Sequence, residues 1–312
     1  MAMTFPIAPM SNVLRTVDHV ARETRLLLCI PFAFRRHRLR FLLDTLRILS
    51  EFPVQRVEVI VYTDTSEPDH LAIIGRFFDL IRSDDKIFSV QCHTDLDHPF
   101  ALPWMSKPTI PGKFLGSDLT HWFYIEDDAR FTYLNLCYFI YAREILRPHG
   151  LIPSFVRYEW NDQQADFFGT DHHSQADVAY LPHIDGGDVF FTTLNSVFNA
   201  TIVLDQELAA EFVQTRSFDR ERSTEVWNWA ICERAAMGLA WENVPPGHLS
   251  RLVIPVVKDR LVPATPCLIH HLPNNYTDGW FAGTNPSDVK LGRLRISKLF
   301  YQNGDPGFDR VI

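Results

Sequence analysis

His121-Trp-Phe-Tyr-Ile-Glu-Asp-Asp-Ala129 is an apolar strand that runs without a break into three acids. Residues Trp122 to Ile125 are aromatic or branched, the composition of a buried strand. If the extended geometry persists, Glu126 and Asp128 point one way and Asp127 the other. Two carboxylates brought to one point repel unless something positive lies between them, and oxygen ligands of this kind suit Mg2+ or Mn2+. In an open α/β sheet, ligands bind outside the carboxyl ends of the strands, where this cluster would lie. The plainer reading is an acidic strand-to-helix loop whose aspartates cap the next helix.

The residues before this stretch alternate between strand and helix. Arg25 to Ile30 is a continuous apolar run of the kind buried on both faces. Pro31-Phe-Ala-Phe and Arg35-Arg-His-Arg38 follow it. Leu39, Leu42, Leu43, Leu46 and Leu49 then recur at helical spacing, with Arg38, Asp44 and Arg47 left for the solvent side and Pro53 as a stop. Arg56 to Thr63 reads as a second strand ending at Asp64, residues 69–82 as a helix and residues 86–93 as a weaker strand. Units of this length predict a parallel sheet flanked by helices. Prolines at 99, 103, 108 and 111 break the pattern into a long functional loop with a short helix around Trp104. Residues 132–147 then give an aromatic-rich helix, with Thr132 as candidate N-cap.

The second half is less regular. Residues 157–189 carry many Asp, His and Gly and read as an inserted hairpin or loop region, a candidate lid or acceptor wall. Strand-like segments return over 189–205, and helices are predicted over 206–215 and 224–238. Short strands at 252–257 and 266–269 lead to His270-His-Leu-Pro-Asn-Asn-Tyr276. No repeat and no clean linker divides the chain.

Composition narrows the function. The 312 residues are 46% hydrophobic and 22% charged, with a net charge of −8 and an isoelectric point near 5.9. An acidic chain lacks the concentrated basic face that nucleic acid requires, so no nucleic-acid partner is expected. The five cysteines at 29, 92, 137, 232 and 267 form no close pair and read as buried free thiols of a reducing compartment. No signal peptide and no transmembrane segment is apparent, which predicts a cytoplasmic protein that can still touch a membrane surface.

An apolar strand ending in a short acidic triplet resembles the D-x-D region of GT-A-type glycosyltransferases, with Glu126-Asp127-Asp128 as an E-D-D variant. The likeness is strongest over residues 25–147. It implies a GT-A-like, Rossmann-type α/β fold: a lead-in over 1–24, a nucleotide-sugar-binding half over 25–147, and a more irregular acceptor half over 148–312 on the same sheet. It further implies transfer of a sugar from a nucleotide-diphospho-sugar donor to a glycan or other hydroxyl acceptor. In that reading Glu126 and Asp128 hold Mn2+ or Mg2+, and Glu126 and Asp127 belong to the donor site. Asp64 lies near the ribose or base, or is only a turn residue ahead of the helix at 69. Arg35 and Arg36 meet phosphate oxygens or form an ordinary basic loop. Lys290 is a further diphosphate candidate. His271, with His270 as alternative, would complete the metal shell of a retaining enzyme. Glu225 and Glu233, two turns apart on one amphipathic helix, are candidates for the base of an inverting enzyme or for structural ion pairs. Trp104, Trp160, Trp227, Trp229 and Trp280 would suit stacking on sugar faces, although most large aromatics are core, and Trp160 and Trp280, in loop-like sequence, are the better candidates.

Two other readings stay open. One is a non-catalytic nucleotide- or glycan-binding module on the same fold. The other is a non-haem Fe(II) oxygenase in which His183, Asp185 and a distal His248 or His270 form the metal triad, although that motif belongs on a jelly roll. Asp171-His-His173 resembles the D-H-H phosphoesterases only by chance, because it follows a polar stretch and not a buried strand.

Overall fold

The computed structural model describes residues 10–172, 174–277 and 293–303, so His173, Trp280 and Lys290 lie outside the described residues. The chain forms two compact units. One comprises Val17–Tyr133 and Ala200–Glu242, and the other Met1–Thr16, Leu134–Asn199 and Asn243–Ile312. The division is not the one expected at 147/148, because residues 200–242 return to the first unit.

The first unit is built on a five-stranded sheet. Its elements in chain order are α1 (Val17–Glu23), β1 (Arg25–Phe32), α2 (Leu39–Ser50), β2 (Arg56–Thr63), α3 (Pro68–Ile81), β3 (Lys86–Cys92), β4 (His121–Ile125), β5 (Thr201–Asp205) and α4 (Gln206–Phe212). The strand order is β5-β4-β1-β2-β3. Strands β1 to β4 are parallel, with Leu27 opposite Glu58 on one side and Trp122 on the other, while β5 runs antiparallel beside β4. This is the expected mostly parallel, Rossmann-like sheet flanked by helices. Central β1 and β4 are buried on both faces, hence their unbroken apolar sequence, whereas edge strand β3 alternates. The edge position also leaves Cys92 exposed, and Cys232 is half-buried, so only Cys29, Cys137 and Cys267 are the buried thiols expected.

Residues 93–120 do not form an open loop. Four prolines cannot be accommodated in a regular α-helix, so the segment folds as a 3-10 run (Pro99–Ser106) and a single π turn (Ile110–Phe114). Leu102, Trp104, Ile110 and Phe114 are buried. The Trp122 indole donates to Thr109 Oγ1 at 2.9 Å, and the Lys107 ammonium lies 3.7 Å from the centre of the Trp104 ring and donates to the Ser217 carbonyl at 2.6 Å. The buried ammonium is thereby satisfied in a site that would otherwise expel it.

The second unit contains, from Leu134 on, the helix Tyr133–Leu146 and, among the described residues, three small sheets, one of them the parallel pairing of Phe300–Tyr301 with Ala176–Asp177. Val156–Asn161 pairs antiparallel with Asp166–Gly169, the expected hairpin, and parallel with Leu268–His271. Val189–Thr192 pairs antiparallel with Leu252–Val257. Trp160 is thus a strand residue, packed edge-on against Phe167 with centroids 4.8 Å apart, and not a loop tryptophan.

Candidate functional site

Strand order reverses between β1 and β4, the position at which a doubly wound sheet opens a crevice at its carboxyl edge. The acidic triplet sits there because it follows β4. The backbone turns immediately after Ile125, with the Ala129 amide donating to the Glu126 carbonyl at 3.2 Å. That turn ends the strand alternation, so the expectation that Glu126 and Asp128 share a side is corrected: Asp127 and Asp128 converge instead. Both are almost completely buried, and Glu126 is half-buried.

What they converge on is Arg38, on the 3-10 turn (Arg36–Arg38) after β1. Its guanidinium donates from Nε to Asp127 Oδ2 at 3.1 Å, and from Nη2 to Asp127 Oδ1 at 2.6 Å and to Asp128 Oδ2 at 2.9 Å. The ion pair therefore joins the carboxyl ends of β1 and β4 across the point of reversal. Thr45 on α2 donates to the Asp127 carbonyl at 3.1 Å and holds the turn from the helix side. One cation between two buried carboxylates leaves a net negative charge, and burial together with Asp128 pushes the Asp127 carboxyl up to about 7 against the pull of Arg38. From the sequence alone Arg38 falls on the solvent side of a helix. Its only signal there was proximity to Arg35 and Arg36, because the pairing depends on sheet order.

The neighbouring candidates occupy the same edge. Asp64 follows β2 and accepts the Phe34 amide at 2.7 Å through Oδ1, while Oδ2 lies 3.6 Å from Arg35 Nη1. Its turn-residue role is thus real, and the carboxylate remains about one-third exposed. Phe34 is stacked on His70 of α3, ring centroids 3.8 Å apart, which fixes the loop that carries Arg35. Arg35 and Arg36 are both exposed.

Glu225 and Glu233 are not on one helix. The predicted helix over 224–238 is broken into a 3-10 turn (Arg222–Glu225) and a short helix (Ile231–Ala235), with Trp227 to Ala230 extended or irregular between them. Tryptophans 227 and 229 pack against Trp241 in this segment, a tertiary contact that outweighs helix propensity. Glu225 is exposed, whereas the Glu233 carboxylate accepts the Ala230 amide at 3.0 Å as an N-terminal cap. Burial, and then the charges of Glu126 and Glu233, raise the Cys232 thiol.

His271 belongs to the second unit. Its Nδ1 lies 2.5 Å from Glu159 Oε1, and Glu159 Oε2 accepts the Tyr276 and Thr277 amides and the Thr277 hydroxyl at 2.9–3.0 Å. His270 Nε2 is 3.2 Å from Asn274 Oδ1. Asp185 accepts Lys258 Nζ at 2.8 Å and the Gly187 amide at 2.9 Å, which is ion-pair and turn chemistry. Among the described residues no three His, Cys, Asp or Glu side chains cluster to hold a metal ion. The donor set at the acidic turn does not fit a divalent ion as it stands, since two of its three carboxylates already share the Arg38 cation.

No family model and no curated protein matches this chain. Among solved structures it is similar to one titled "Crystal structure of S. aureus TarS 1-349", at 11% identity and a TM-score of 0.36, over 69% of this chain. The chain spans 56% of that neighbour's length. No helix among the described residues is long and apolar enough to cross a membrane.

Proposed function

We propose that this chain is a GT-A-type glycosyltransferase that binds a nucleotide-diphospho-sugar at the carboxyl edge of the parallel sheet and transfers its sugar to a hydroxyl of a glycan or similar acceptor. The observation that supports it is the reversal of strand order between β1 and β4, with Arg35, Asp64 and Glu126 following the three strands around it. An exposed guanidinium on a fixed loop suits a diphosphate, and the accessible oxygen of Asp64 suits a ribose hydroxyl. Sugar transfer builds negative charge on the leaving diphosphate, so preorganised positive groups at this edge are the chemistry the reaction needs. The acceptor hydroxyl must lose a proton, and exposed Glu225 and helix-capping Glu233 are the carboxylate candidates to receive it.

The grip of Arg38 on Asp127 and Asp128 favours a second form of this reading, in which the nucleotide or glycan is bound without a metal ion. Calorimetry with UDP, GDP and CDP, each with and without Mn2+, separates the two. Binding that requires Mn2+ and fails in Glu126→Gln and Asp128→Asn supports the metal-dependent transferase. Binding that ignores Mn2+ but fails in Arg35→Ala supports the metal-free form. Absence of nucleotide binding in every condition rejects the proposal.

A further inference from the structure

Three tryptophans meet where the predicted helix breaks. The Trp227 and Trp241 rings are stacked with centroids 4.4 Å apart and planes 11° from parallel, and Trp229 stands edge-on to both at 5.9 and 5.4 Å. One side of the Trp227 indole is thus covered by Trp241, yet the residue is 43% exposed. Glu225 and Asn228 on either side of it are exposed as well.

The backbone under this cluster is tied down. Arg234 donates to the Trp229 carbonyl at 2.6 Å and to Ser223 Oγ at 3.0 Å, so one guanidinium fastens both ends of the tryptophan segment. Glu233 caps the short helix that follows, and the Trp104 indole donates to the Ile231 carbonyl at 2.7 Å. Such a segment does not collapse to hide its aromatic ring. It presents that ring preorganised.

We infer that Trp227, backed by Trp241 and Trp229, is the platform on which a pyranose ring of the acceptor glycan stacks. This rests on the transferase reading above. A pyranose presents a face of weakly positive C–H bonds to the negative π face of an indole and directs its hydroxyls outward, where carboxylate and amide groups such as Glu225 and Asn228 accept and donate. The size of the surface also favours a sugar. A tryptophan side chain at this exposure offers on the order of 100 Å², against roughly 800 Å² per partner for a stable protein interface. The platform belongs to the same unit as the carboxyl-edge site, and the Trp104 indole ties its base at the Ile231 carbonyl.

The test uses the full chain, fluorescently labelled, on an array of immobilised pyranose glycans, with Trp227→Ala and Trp227→Phe alongside. The wild-type chain is expected to bind at least one glycan, Trp227→Ala to bind it about tenfold more weakly or worse, and Trp227→Phe to retain most of the binding. Matching far-UV circular dichroism of the variants guards against simple unfolding. Glycan binding absent from the wild type, or equal in Trp227→Ala, overturns the inference. So does a concentration-dependent dimer in sedimentation that Trp227→Ala abolishes, because the ring would then be covered by a second copy. The calorimetry above, repeated on Trp227→Ala, keeps the two readings apart. Nucleotide binding that survives while glycans fail leaves the donor site and removes the platform, whereas glycan binding without any nucleotide binding supports the platform and removes the transferase.

Discussion

Replacing Arg38 by Met tests the central ion pair directly. The side chain keeps its length, but Asp127 and Asp128, each with a side chain only 6% exposed, lose the cation they share. Breaking a buried pair by removing one partner costs about 3–5 kcal/mol, and Arg38 itself is 32% exposed, so water reaches it and the lower end applies. The expected loss is about 3 kcal/mol in urea unfolding at pH 8. The pH dependence has a defined sign. Burial and Asp128 raise the Asp127 carboxyl from 3.8 to about 7, so its contribution to stability is full below about pH 4 and fades as pH rises through 7. Without Arg38 the folded carboxyl holds its proton to still higher pH. The gap between wild type and Arg38→Met should therefore be smallest at pH 5 to 6 and widen toward pH 8. Adding Asp127→Asn and Asp128→Asn to Arg38→Met removes the stranded charges and should restore at least half of the loss. A loss below about 1 kcal/mol at pH 8, a gap that narrows with rising pH, or a triple variant no better than Arg38→Met would show that this cluster is not the coupled charge site described.

Three further outcomes follow from local geometry. Glu159→Ala removes the acceptor of the Tyr276 and Thr277 amides and the partner of His271 Nδ1, and should cost about 3–5 kcal/mol in urea unfolding, against little effect at an exposed carboxylate such as Glu51. Gly238 has φ of +54° and a Cβ there would meet Ile202 Cγ2 at 3.2 Å, so Gly238→Ala should lower stability by about 1–2 kcal/mol. Of the five thiols, exposed Cys92 should react fast with DTNB in the folded protein and Cys92→Ser should remove that phase, while Cys29, which burial pushes up to about 11, should react only after unfolding.

The sheet was legible because its physics is local. Burial on both faces forces unbroken apolar runs at Leu26–Ile30 and Trp122–Ile125, and parallel pairing forces helix-length connections, so strand and helix positions could be read to within a residue or two. Element type failed where a long-range contact won. Nothing within 224–238 signals that Trp241, twelve residues beyond Trp229, will hold tryptophans 227 and 229 out of a helix.

The site was half legible for a related reason. That three acids at a strand end would gather charge was readable, but which side chains would share it depends on where the backbone turns and which strand lies beside it. A single amide-to-carbonyl bond from Ala129 to Glu126 changes the pair from Glu126 and Asp128 to Asp127 and Asp128. The choice of cation follows from strand order. Because β1 neighbours β4, the guanidinium that meets the turn comes from residue 38, ninety positions before Asp128 in the chain. Two buried carboxylates must have a counter-charge in any fold, and here the chain supplies it internally before any ligand arrives. A cation that engages Asp127 or Asp128 has therefore to compete with Arg38, whereas an anion meets exposed guanidiniums at Arg35 and Arg36, of which Arg35 is held, among the described residues, only by a half-exposed 3.6 Å contact with Asp64 and a bond to the Phe34 carbonyl. By that argument Arg35→Ala should weaken binding of a nucleoside diphosphate more than Asp128→Asn does, and the reverse order in calorimetry would show that the acidic pair, released from Arg38, is the principal ligand contact.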